Sequence, residues 1–118
     1  MMKSGTDLIN EAKSRIREVS AADALAAHGN PGVSFLDVRD LQEVNLGRIP
    51  GAVHISRGNL ERKVEAVVPR DADLIVYCGG GGRSALAADT LRQMGYTRVR
   101  SLAGGFRAWA EASGEIDG

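Results

Sequence analysis

Apolar residues recur along this chain in two rhythms. In "TDLINEAKSRI" (6–16), Leu8, Ile9, Ala12 and Ile16 fall at helical spacing. Asp7 and Glu11 come early and Lys13 and Arg15 late, as a helix dipole favours. "IREV" (16–19) predicts a short strand, and "SAAD" (20–23) has the form of a capping box opening an alanine-rich helix. That helix should stop near "HGNPG" (28–32), where Gly29 and Pro31 punctuate the chain. "VSFLDVRD" (33–40) predicts the second strand, followed by a helical turn over 40–46 and a break at "GRIPGA" (47–52). "AVHIS" (52–56) is a third short strand, and "NLERKVEAVV" (59–68) a helix ending before Pro69. "DLIVY" (73–77) is a continuous apolar run, the mark of a strand buried on both faces. "SALAADTLRQM" (84–94) predicts a helix with Leu91 and Met94 inward, ended by Gly95 at its C-cap. "TRVRSL" (97–102) gives the last strand and "GGFRAWAEAS" (104–113) the closing helix, while the tail "GEIDG" (114–118) is expected to fray.

Strands alternating with helices predict an α/β fold: a mostly parallel sheet with helices on both faces. At 118 residues there is one core and one domain, spanning 16–113, with residues 1–15 as an N-terminal helical extension. In such sheets ligands sit beyond the carboxyl ends of the strands. Cys78 falls at one of those ends.

Charge and composition exclude several classes. Fifteen Lys and Arg balance fifteen Asp and Glu, so no global field points to nucleic acid or an anionic membrane surface. No run approaches the roughly 20 apolar residues of a membrane span. The start "MMKSGTDLIN" lacks a secretory h-region, which sets a cytoplasmic expectation. The single cysteine forms no internal disulfide, and His28 and His54 complete no metal-ligand spacing with it. No metal site is expected.

The chemistry concentrates in "VYCGGGGRSALAA" (76–88): the only cysteine, four glycines, then Arg83. Each glycine costs roughly 0.5–1 kcal/mol relative to alanine in a regular element, so the run needs a reason. A P-loop would need a lysine, which is absent. "GGGRSA" (80–85) formally satisfies a dinucleotide fingerprint, but no acid follows about 20 residues on. The remaining reading is a cysteine nucleophile in an anion cradle. Backbone N–H groups of the loop, the helix N-terminus near Ser84 and the permanent charge of Arg83 would together favour thiolate over thiol. The competing structural reading is a small buried hydrophobe at the end of a strand.

Three stretches in order resemble the rhodanese family of sulfurtransferases over residues 16–113. They are "FLDVRD" with Glu43 and "GRIPGAVHI", then "IVYCGGGGRSALAADTL", then "SLAGGFRAW". The resemblance implies a five-stranded parallel sheet and Cys78 as a sulfur-carrying nucleophile. Backbone N–H groups of Gly79, Gly80, Gly81, Gly82, Arg83 and Ser84 would cradle the anionic sulfur. It implies a small-molecule donor such as thiosulfate, a thiol, cyanide or protein acceptor, and no cofactor. Asp37 and Arg39 match the family's "DVR", implying a polar network that braces the loop. The alternative there is a strand-end ion pair with Glu43 as the partner of Arg39. Arg57, after the third strand, lies where relatives carry a basic residue near the pocket mouth, although a surface arginine reads equally well. Arg48 and Val44 depart from the family pattern, which commonly has histidine and an aromatic there. Two other functions compete: a non-catalytic rhodanese-like module, and a Cdc25-like phosphatase or arsenate reductase, whose loop is one residue longer.

Overall fold

The computed structural model describes residues 1–118. Its elements are α1 (Gly5–Arg15), β1 (Arg17–Val19), α2 (Ala21–His28), β2 (Val33–Asp37), α3 (Leu41–Asn45) and β3 (Val53–His54). A 3-10 turn (Arg57–Asn59) follows, then α4 (Leu60–Val67), β4 (Asp73–Tyr77), α5 (Gly82–Gln93), β5 (Val99–Leu102) and α6 (Gly105–Glu111). The five strands form one sheet in the order β1-β5-β4-β2-β3, and every pairing is parallel. The expected sheet is therefore present, with no antiparallel member.

Side-chain alternation on β4 divides the core. Leu74 and Val76, and Cys78 just beyond the strand, face one layer with Leu60, Val64, Leu91 and Tyr96. Ile75 and Tyr77 face the other, with Ala24, Phe35, Leu102 and Trp109. Helices α4 and α5 thus cover one face, and α2 and α6 the other. The strand expected over 33–40 ends at Asp37. The Arg39 N–H turns back to the Asp37 carboxylate at 3.0 Å, and Asp40 caps α3 in a reciprocal box with Glu43.

The extension α1 packs on the outside of α5. Ser4 and Asp7 form its capping box, Ala12 is its buried anchor, and Leu8 stays exposed. Arg15 fixes the helix by binding both carboxylate oxygens of Asp89, with Nη2 to Oδ2 at 2.9 Å.

Two expectations need correction. The α5 helix begins at Gly82 rather than Ser84, because Gly81 in a left-handed conformation (φ +104°) completes the turn early. Gly82, Arg83 and Ser84 are therefore the first helical turn. The tail does not hang free: Arg48 and Asp117 exchange both backbone hydrogen bonds, at 2.8 and 2.9 Å. The buried Trp109 indole donates to the Glu115 carbonyl at 2.8 Å. An indole N–H in the interior needs an acceptor, and the tail supplies it.

Candidate active site

Cys78 is the first residue after β4 and is 1% exposed. Two backbone donors converge on its sulfur: Gly81 N–H at 3.1 Å and Ser84 N–H at 3.3 Å. The left-handed turn at Gly81 aims the first, and the open first turn of α5 aims the second. Six such donors were expected from Gly79 to Ser84, and two of them bond Sγ. The Ser84 hydroxyl lies 3.4 Å from Sγ and 2.8 Å from the hydroxyl of Ser101 on β5. On the solvent side the loop is bare backbone. Gly80 is exposed, and a Cβ built there would meet nothing within 4 Å.

The loop is held from behind by α6. Phe106 N–H donates to the Cys78 carbonyl at 2.7 Å, and Arg107 N–H to that of Gly79 at 3.1 Å. Gly105 makes this approach sterically feasible. A Cβ there would stand 2.5 Å from the Cys78 carbonyl oxygen and 2.6 Å from the Gly79 carbonyl carbon, at φ +60°. The sequence reading gave "SLAGGF" no such role. Its signal was the paired glycines, each opposite the Cys78 loop.

Arg83 points to Glu43 rather than into the loop. Nη1 donates to Oε2 at 2.7 Å and Nη2 to Oε1 at 2.9 Å, and a Cβ on Gly79 would sit 3.2 Å from Nη2. Hydrogen bonds from Arg83 hold the Glu43 carboxyl down to about 2, with help from the Asp40 N–H and against partial burial. The same bonds raise Arg83 further above its already high value. Glu43 is thus the partner of Arg83, not of Arg39.

Arg39 belongs to Asp37. Its Nε and Nη2 reach the two carboxylate oxygens at 3.0 and 2.7 Å, with both side chains buried. Nη2 also donates to the Gly47 carbonyl at 2.7 Å, and the guanidinium lies 4.4 Å from the Phe106 ring centroid. This pair joins β2, the turn at Gly47 and α6, and α6 in turn holds the loop. Arg57 takes no place at the loop. It bonds Glu61 and Thr90, each at 3.1 Å, and Thr90 lies eight residues, about 12 Å of helix rise, past Gly82. His54 bonds the Arg39 carbonyl and His28 the Pro50 carbonyl, both at 2.8 Å.

Two clefts lie at the amino-terminal ends of the strands, away from Cys78. One of about 280 Å³ is lined by Arg15, Arg17, Arg92 and Tyr96, among others, and one of about 240 Å³ by Arg17, Asp73, Arg98 and Arg100. Four of these five arginines are paired, to Asp89 or to Asp73. No group of three or more His, Cys, Asp or Glu side chains could hold a metal ion, and no helix is long and apolar enough to cross a membrane.

A parallel α/β sheet that ends its central strand in a cysteine, with a glycine loop folded back onto the sulfur, defines a cysteine-loop domain of the rhodanese type. Residues 20–112 match the rhodanese-like domain, and the chain belongs to that family. A sulfurtransferase of Allochromatium vinosum is 37% identical over 78 residues, 66% of this chain and 72% of that one. The thiosulfate sulfurtransferase GlpE of Tolumonas auensis is 29% identical over 96 residues, 81% of this chain and 90% of that one. A candidate sulfur carrier protein of Bacillus subtilis is 30% identical over 109 residues, and this chain spans 58% of its length. Among solved structures, a Rhodopseudomonas palustris protein of unknown function, described as a possible tyrosine phosphatase, superposes with a TM-score of 0.91. It is 37% identical, with 99% of this chain and 96% of that one covered. The polysulfide-sulfur transferase homodimer of Wolinella succinogenes gives 0.80 at 29% identity, covering 92% of this chain and 83% of that one.

Proposed function

We propose that this chain transfers a sulfane sulfur through a persulfide on Cys78. The observation that carries the proposal is the pair of N–H donors, from Gly81 and Ser84, on a sulfur at the end of the central strand. In the first step the Cys78 thiolate attacks the outer sulfur of thiosulfate. A bond forms between Sγ and that sulfur, the sulfur–sulfur bond of the donor breaks, and sulfite leaves with the electron pair. In the second step a thiolate or cyanide attacks the outer sulfur, and Cys78 departs again as thiolate. The two half-reactions balance without a redox partner and give ping-pong kinetics. Negative charge resides on sulfur before and after each transfer, and the loop N–H groups and the α5 N-terminus stabilise it there. The exposed Gly80, with nothing within 4 Å of its Cβ position, also suits the approach of an acceptor cysteine presented by another protein. A single reduced cysteine accords with action in the cytoplasm.

The description of the Rhodopseudomonas palustris relative raises the phosphatase reading again. Two features favour sulfur transfer. Four residues rather than five separate Cys78 from Arg83, and the end-on fork of Arg83 is engaged by Glu43 rather than turned to an anion over the sulfur.

Incubation with thiosulfate, followed by intact-mass measurement, should add one sulfur atom to the parent chain and none to Cys78→Ser. Cyanide should then remove it with formation of thiocyanate. An unchanged mass, together with hydrolysis of an aryl phosphate, would replace the proposal with the phosphatase reading.

A further inference from the structure

Behind the loop, a second serine is placed to govern the first. Ser101 lies on β5 in register with Val76 of β4, and Ser84 lies in the first turn of α5; both are 0% exposed. The Ser84 hydroxyl oxygen has three neighbours: Ser101 Oγ at 2.8 Å, the Gly81 carbonyl at 3.3 Å and Cys78 Sγ at 3.4 Å. It has one hydrogen to give. Ser101 Oγ, by contrast, has a single partner, Ser84.

That asymmetry fixes the direction of the chain. Were Ser84 to donate to Ser101, the Ser101 hydrogen would be left buried with no acceptor, a costly arrangement. With Ser101 donating instead, Ser84 receives a hydrogen bond and keeps its own hydrogen for either the Gly81 carbonyl or the sulfur. When Cys78 is a thiol, its S–H points at Ser84 and the Ser84 hydrogen turns to Gly81. When Cys78 is a thiolate it can only accept, and the Ser84 hydrogen turns to Sγ. Hydrogen bonds in such a chain reinforce one another.

We infer that Ser101 is a positioning residue for the nucleophile: its buried hydroxyl orients Ser84, which then serves as a third donor to the Cys78 thiolate beside the Gly81 and Ser84 N–H groups. The charged neighbours do not duplicate this role. From α5 and α3, Arg83 and Glu43 face each other, and at the end of β2 Asp37 is closed against Arg39. From α6, Arg107 turns outward to Glu111. The inference concerns the sulfur that the proposed transfer uses, but it does not require that the transfer occur.

The test titrates the only cysteine by ultraviolet thiolate absorbance, which needs neither substrate nor access to the sulfur. Ser101→Thr and Ser101→Val are nearly isosteric and differ in the hydroxyl, so any strain from the added bulk is common to both. Thr should titrate like the parent. Val should show less thiolate than Thr at a pH below the midpoint, by less than the roughly fivefold weight of a whole hydrogen bond, because Ser84 keeps its hydrogen and loses the reinforcement from Ser101. Ser84→Ala, which removes the third donor itself, should show the full loss of about fivefold in thiolate, and adding Ser101→Val to it should bring no further change. Val titrating like Thr would overturn the inference, as would a Val effect that persists undiminished in the Ser84→Ala background. Variants that rank as stated, in a parent that never gains sulfur from thiosulfate, would sink the proposed function and leave the relay standing.

Discussion

Alanine at Gly81 and alanine at Gly80, neighbours in one loop, should behave oppositely. Gly81 sits at φ +104°, where a side chain is strained, and its Cβ would come within 3.3 Å of the Gly104 backbone nitrogen. A left-handed conformation costs an L-residue about 1–2 kcal/mol. Pressing a methyl into packed backbone adds about 1 kcal/mol or more. Gly81→Ala should therefore lose about 2–3 kcal/mol, which for a chain of this size lowers Tm by roughly 8–12 °C. The same residue donates its N–H to Sγ at 3.1 Å, so sulfur loading should fall as well. Gly80 has no positive φ, and its Cβ would meet nothing within 4 Å. Alanine there should be neutral or stabilise by about 0.4–1 kcal/mol, through the unfolded chain. Calorimetry and persulfide formation on the same preparations give both readings. Equal Tm values for the two variants, or full sulfur loading by Gly81→Ala, would refute the argument that this glycine shapes the cradle.

Glu43 links the loop to acid stability. Its folded value is depressed to about 2, so its contribution is present above its ordinary value near 4.5 and is lost as pH falls from there toward 2. Both partners are more than a third exposed, so screening leaves about 1 kcal/mol. Denaturant midpoints of the parent and Glu43→Gln should accordingly differ at pH 7, approach each other as pH falls below about 4.5 and converge only toward pH 2; a gap independent of pH would contradict the pairing. At the other end, Gly114→Ala would drive a methyl to within 2.3 Å of the Trp109 ring. It should cost about 1–3 kcal/mol by thermal melting, whereas an unchanged Tm would mean the tail does not pack there.

The parts legible in the sequence were those whose cause is local. "DLIVY" announced a buried strand because every side chain in it is apolar, and the glycines after it had no local use as helix or strand. Position followed from that: a parallel strand delivers its next residue to the edge where ligands bind, and Cys78 stands there. What escaped were pairings between distant charges. Arg39 and Arg83 both have carboxylates within chemical reach, and no periodicity says which takes Glu43. The fold decides it, because Asp37 already occupies Arg39 two residues away in a buried turn, leaving Glu43 on the α3 face that meets Arg83. The tail was misjudged for a similar reason, since its anchor is an indole N–H donating to the Glu115 carbonyl and a backbone exchange with Arg48. Ser101 is the sharpest case. In "TRVRSL" it is one more alternating position, and its hydroxyl gains meaning only when β5 is laid beside β4 and α5 descends over both. Local pattern placed the cysteine; tertiary contact alone placed the groups around its sulfur.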